Sequence, residues 1–170
     1  MAIPLTIGFL GAGKMATALA RGFIRAEIVF PKEILASDLS EAARAAFTKE
    51  TGAKTTASSA DVLQFASALI LAVKPDQVAG VLAEQRGNFT NEHLLISIAA
   101  GVTLAKMEAA VPAGTRVIRV MPNTPALVGE AAAAFALGKS ATAADGELTK
   151  KLLSAVADLD RKSTRLNSSH

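Results

Sequence analysis

The sequence has no cysteine, tryptophan or tyrosine, and aromatic residues fill only 4% of its 170 positions. Without cysteine there is no disulfide framework and no thiolate nucleophile, which fits a reducing compartment and hence a cytoplasmic protein. With so few rings there is little on which nucleic-acid bases could stack. The formal charge of +3 gives no better pointer to nucleic acid. Three of the 18 basic residues, Arg161, Lys162 and Arg165, lie in the last ten positions, where there is no acid; the other 15 face 15 acidic residues. The body is therefore neutral, and neither nucleic acid nor an acidic surface is expected as a partner. No apolar run reaches the roughly 18 residues of a membrane span, so no membrane is expected either. His93 and His170 have no metal-spaced partners, so no metal site is expected and His93 is placed at the surface. No Ser/His/Asp set or carboxylate pair stands out, and the catalytic residues stay unassigned.

What is present points to one α/β domain. Hydrophobic residues make up 51% of the chain and alanine alone about a fifth, enough for a real core with closely packed helices. Leu5 to Leu10 is a short apolar run ending at Gly11, read as a first strand and not as a signal peptide. A helical pattern follows from Gly13 to Ala26. Strands are expected at Ile34 to Ser37, weakly at Lys54-Thr55, and at Ala68 to Val73, Leu94 to Ile98 and Arg116 to Val120. Helices are expected from Glu41 to Glu50 after a Ser40 cap, from Ser59 to Phe65, after Pro75, from near Thr103, and from Ala143 to Leu159. Ala131 to Leu137 fits strand or helix. This alternation predicts a Rossmann-type, doubly wound, mainly parallel sheet with helices on both faces, spanning residues 1–159. Residues 160–170 are polar and read as a disordered or foreign tail.

Gly11-Ala12-Gly13-Lys14-Met15-Ala16 fits G-x-G-x-x-A between a strand and a helix. The first glycine permits the tight turn, the second lets a pyrophosphate approach the backbone, and Ala16 lets the helix lie close on the sheet. Phosphate charge then rests on the N-terminal end of the helix, with Lys14 at the rim. An S-adenosylmethionine site also begins with a glycine loop after the first strand, and a ligand-free glycine corner is the plainer alternative. Asp38, at the end of the second strand, is placed to bond the adenosine ribose. A carboxylate there, without an adjacent arginine, disfavours a 2′-phosphate and predicts a preference for NADH.

Four segments occur in order: the glycine loop, Ala72-Val73-Lys74-Pro75, Ser97 to Thr103, and Arg119-Val120-Met121-Pro122-Asn123-Thr124-Pro125. Together they resemble the N-terminal cofactor domain of the pyrroline-5-carboxylate reductases. That resemblance covers roughly Thr6 to Leu159 and implies NADP- or NAD-dependent reduction of a small cyclic imine, 1-pyrroline-5-carboxylate, to L-proline. It implies cofactor contacts at Leu10, Gly11, Ala12, Gly13, Lys14, Met15, Ser37, Asp38, Ser59, Ala72, Val73, Lys74, Pro75, Ile98, Ala99 and Ala100. It puts Asn123 and Thr124 near the substrate. Ser59 stands where many relatives carry Asn. Relatives also continue into a helical domain that holds the substrate and forms the homo-oligomer; this sequence resembles a truncated member. A stand-alone dinucleotide-binding module and a 3-hydroxyacid-dehydrogenase-like reductase are the alternatives.

Overall fold

The computed structural model describes residues 5–121 and 135–168, with 157–168 described by backbone alone. Three short apolar runs form strands buried along their whole length: β1 (Ile7–Leu10), β4 (Ala68–Leu71) and β5 (Leu94–Ser97). A strand covered on both faces reads as a continuous apolar run because neither set of alternating side chains meets water. β2 (Ile34–Ser37), β3 (Lys54–Thr56), β6 (Arg116–Val120) and β7 (Phe135–Leu137) complete a seven-stranded sheet in the order β3-β2-β1-β4-β5-β6-β7. All pairings are parallel except β6 with β7. The order reverses between β1 and β4, and open α/β sheets bind ligands at such a switch, beyond the carboxyl ends of the strands.

The helices divide between the two faces by the alternation of strand side chains. On one face α1 (Lys14–Arg25), α2 (Glu41–Thr51) and α6 (Ala143–Ser168) pack over Ile7, Phe9, Ile34, Ile70, Ile96 and Ile118. Three phenylalanines meet there, Phe9 lying 6.2 Å from Phe23 and 5.7 Å from Phe47 between ring centroids. On the other face α3 (Ser59–Phe65), α4 (Val78–Gln85) and α5 (Leu104–Ala110) cover Leu10, Leu69, Leu71, Leu95 and Val117. Ser40 caps α2 by accepting the Ala43 N–H at 3.1 Å, and Thr103 caps α5 by accepting that of Lys106 at 3.2 Å. Gly52, at φ +78°, ends α2 in the left-handed conformation expected of it. Gly8 carries a constraint that its sequence context hides. A Cβ there would run into Val62 and lie 2.8 Å from Ala66, so α3 rests directly on the backbone of β1.

The structure departs from the sequence reading in three places and resolves an alternative in a fourth. Pro75–Gln77 is a single 3-10 turn and α4 proper begins at Val78. Phe135–Leu137 resolves as strand, while residues 131–134 lie outside the described residues. The backbone expected to become irregular at Asp160 stays helical to Ser168; beyond Gly146 that segment has no glycine or proline to break it. His93 is buried, not exposed. Its Nδ1 accepts the Thr90 N–H at 2.9 Å, so Nε2 carries the proton and donates to the Leu63 carbonyl at 2.7 Å. The imidazole thus ties the turn before β5 to α3, through backbone partners that no sequence pattern announces.

α6 is fixed to the sheet by one charge pair. Arg116 Nη1 lies 2.7 Å from Asp145 Oδ1, the carboxylate nearly buried, and Arg116 Nη2 donates to the Glu92 carbonyl at 2.9 Å. Asp145 Oδ2 also accepts the Thr142 N–H at 2.9 Å, while the Thr142 hydroxyl accepts the Asp145 N–H at 3.1 Å. Asp145→Ala therefore removes a cap and strands a half-buried guanidinium. A stability loss of about 2–3 kcal/mol is expected by urea denaturation; a loss below about 0.5 kcal/mol would show that water replaces the carboxylate without penalty.

Candidate dinucleotide site

The glycine loop leaves β1 at the centre of the sheet, at the switch point. Gly11 has φ +104°, and a Cβ on it would sit 2.7 Å from the Ala72 carbonyl oxygen. Its N–H donates to the Ser37 carbonyl at 2.9 Å, drawing the loop against the end of β2. Gly11 is thus glycine for the fold's own reasons. Gly13 is different. Its φ of −79° suits any residue, and a Cβ would meet nothing within 4 Å. Packing within the described residues does not require glycine here, and its absent side chain leaves the backbone at the head of α1 open to approach. Ala16 is 1% exposed against the core, as close helix–sheet packing demands. The first turn of α1 has neither an acidic residue nor a side-chain cap, which leaves its positive end open to an anion. The residues present therefore fit a pyrophosphate.

Asp38 is half-buried and engaged in a way that its position in the sequence does not reveal. Oδ2 accepts the Ala12 N–H at 3.0 Å and Oδ1 accepts the Ser40 N–H at 2.9 Å. The carboxylate joins the glycine loop to the start of α2. Ser37 and Ser59 are brought together, their hydroxyls 3.4 Å apart, with Ser37 buried. Ala72 and Val73 are half-buried and Lys74 and Pro75 exposed beyond β4, which the Ala72 N–H to Leu10 carbonyl bond of 2.8 Å holds beside the loop. Ile98 is half-buried, Ala99 buried and Ala100 exposed beyond β5. Leu10 is 0% exposed, so its side chain belongs to the core and only its backbone borders the site. Met15 and Lys14 are exposed at the rim. Asn123 and Thr124 lie outside the described residues.

Beside Gly13 a cavity of about 350 Å³ runs between α1 and α2, lined by Lys14, Thr17, Ala18, Arg21, Ala43 and Ala46 among others. Arg21 pairs with Glu50 at 3.4 Å. Among the described residues no cluster of His, Asp or Glu could hold a metal, and no helix is long and apolar enough to cross a membrane. The arrangement can seat a dinucleotide across the strand ends; the hydride chemistry belongs to the nicotinamide.

Residues 6–101 match the family model described as NADP oxidoreductase, coenzyme F420-dependent. The chain belongs to that family. The chain is 45% identical over 150 residues to the pyrroline-5-carboxylate reductase of Methanosarcina acetivorans, covering 88% of this chain and 56% of that protein. Among solved structures it is similar to the pyrroline-5-carboxylate reductase of Coxiella burnetii, with a TM-score of 0.77 at 28% identity over 91% of this chain and 57% of that one. It is also similar to Plasmodium falciparum pyrroline carboxylate reductase with NADP bound, with a TM-score of 0.73 at 26% identity over 89% of this chain and 55% of that one. The chain spans little more than half the length of these relatives. The family match ends at Gly101, so it takes in the glycine loop, Asp38, Ser59 and the segments after β4 and β5.

Proposed function

We propose that the chain is the dinucleotide-binding half of a reductase that converts 1-pyrroline-5-carboxylate to L-proline at the expense of NADPH or NADH. The observation that carries the dinucleotide reading is Gly13, whose missing side chain leaves open space at the head of α1. The likeness to pyrroline-5-carboxylate reductases supports the substrate. When bound, the nicotinamide supplies a hydride to the imine carbon, and the ring nitrogen takes a proton. This chain's residues hold and orient. The α1 amides and Gly13 take the pyrophosphate, the ends of β1 and β2 take the adenosine, and the segments after β4 and β5 flank the nicotinamide. Asn123 and Thr124 are assigned to the substrate side, and the cytoplasm to its location. A substrate clamp and the homo-oligomer are assigned to the portion of the relatives that this chain does not span.

Calorimetric titration with NADPH and NADH tests the reading. At least one of the two is expected to bind with a Kd in the micromolar range, about −8 kcal/mol. Because the chain has no tryptophan or tyrosine, the cofactor's own fluorescence gives a second readout with little protein background. Absence of binding by both methods overturns the proposal.

A further inference from the structure

On the face of the sheet away from α1, a second cavity of about 410 Å³ lies between α4 and α5. Its inner wall is apolar: Val78 and Leu82 of α4 are buried there, and Ala110 of α5 is half-buried. Two exposed charges of opposite sign line the same cavity. Asp76 stands in the 3-10 turn that opens α4, and Lys106 in the first turn of α5. The ion pairs among the described residues are Arg21 with Glu50 and Arg116 with Asp145, so Asp76 and Lys106 are paired neither with each other nor with a third group. Both helices start beyond the carboxyl ends of parallel neighbours, β4 and β5, so the two charges stand at the same end of the groove. The other end is tied by Arg86, whose Nη1 donates to the Ala109 carbonyl at 3.3 Å. Gly101 lines the charged end, and nothing lies within 4 Å of where its Cβ would be. Of the residues assigned to the dinucleotide, Pro75 alone also borders this cavity.

We propose that this groove is a binding site for a small zwitterionic amino acid with an apolar side chain, separate from the dinucleotide site. A simple anion drawn to Lys106 meets the repulsion of Asp76, and a simple cation drawn to Asp76 meets that of Lys106. An α-amino acid carries both charges on one carbon, so its carboxylate faces Lys106 while its ammonium faces Asp76. Its side chain then leaves water against Val78 and Leu82. A longer peptide does not fit this pattern, because its free ammonium and carboxylate sit on different residues. The volume lies within the roughly 300–1,000 Å³ usual for small-molecule sites. The proposal goes beyond the reductase reading and does not depend on it, although the product of that reaction is itself an amino acid of this class.

The test is an amide NMR titration of the whole chain with L-proline and L-valine. Each is expected to bind with a Kd of about 1 mM, shifting the amide resonances of Asp76, Val102 and Lys106 and leaving those of Ala12 and Gly13 in place. Cyclopentanecarboxylate keeps a ring and the anion, and pyrrolidine keeps a ring and the cation. Both are expected to bind at least ~10-fold more weakly than L-proline. Asp76→Asn and Lys106→Gln are each expected to lower the affinity for both amino acids ~10-fold. Ala110→Leu is expected to abolish binding by filling the apolar wall with the charges left in place, and the exchange Asp76→Lys with Lys106→Asp to recover part of it. No shift from either amino acid at ~50 mM overturns the proposal. So does binding of either one-charge analogue as tight as that of L-proline, or an affinity unmoved by both charge variants. Shifts confined to the glycine loop place the amino acid in the dinucleotide site and overturn it as well. Circular dichroism of each variant confirms that it is folded, and the comparison of ligands on wild type keeps the test decisive should a variant fail to fold.

Discussion

Gly13→Val is expected to weaken dinucleotide binding at least ~10-fold, about 1.4 kcal/mol, with no comparable loss of stability. The reason is the asymmetry between the loop's two glycines. Gly13 has an ordinary φ of −79° and empty space around the position of a Cβ, so the fold itself accepts valine. The branched side chain would then stand where the pyrophosphate must approach the α1 amides. Gly11→Ala is the contrasting control. At φ +104°, with the Ala72 oxygen 2.7 Å from the new methyl, it strains the loop whether or not a ligand is present. The two variants together separate a ligand's requirement from the fold's. Calorimetry and thermal melting on both decide the matter. Equal affinities for wild type and Gly13→Val would remove the glycine loop from the site, and an equal loss of stability in both would show that Gly13 is structural.

The chain alone is expected to bind cofactor without reducing 1-pyrroline-5-carboxylate at a useful rate. Among the described residues Lys74, beyond β4, is an exposed, solvated charge and not a closed clamp for a carboxylate. An imine that is not held against the nicotinamide loses the benefit of orientation, which can reach ~7–11 kcal/mol of the barrier. The relatives it matches run to nearly twice the length that it spans, and the remainder is where the substrate's grip and the exclusion of water are expected. The measurement is NADPH and NADH consumption by the purified chain at saturating imine, beside the Methanosarcina relative. Turnover within tenfold of that relative would show that these residues complete a substrate site unaided.

Much of this architecture is legible without coordinates, because parallel strands buried on both faces must be unbroken apolar runs. Ala68–Leu71 and Leu94–Ser97 are such runs, too short for a helix of ordinary length. Ser40 and Thr103 announce helix starts because a hydroxyl can satisfy an orphan N–H only two or three residues ahead, a local rule. The glycine loop is legible for the same reason, its turn, its close approach and its tight helix packing all falling within six residues.

What sequence alone could not decide is wherever a residue's partner lies far along the chain. Gly8 is one position among others in the first apolar run until Val62 and Ala66 are seen against it. His93 looks like a surface residue until the Leu63 carbonyl, 30 residues away, is seen to accept its hydrogen bond. Asp38 occupies the position of a ribose ligand, and only the folded loop shows both its oxygens already bound to backbone. Sequence by itself therefore determined the order of the elements, the layering of the sheet and the place of the dinucleotide loop, since these follow from local periodicity and local hydrogen bonding. Tertiary structure decided which charges are spent and which are free, because a charge is neutralised by whatever stands within a few ångströms of it, and that neighbour is chosen by the fold.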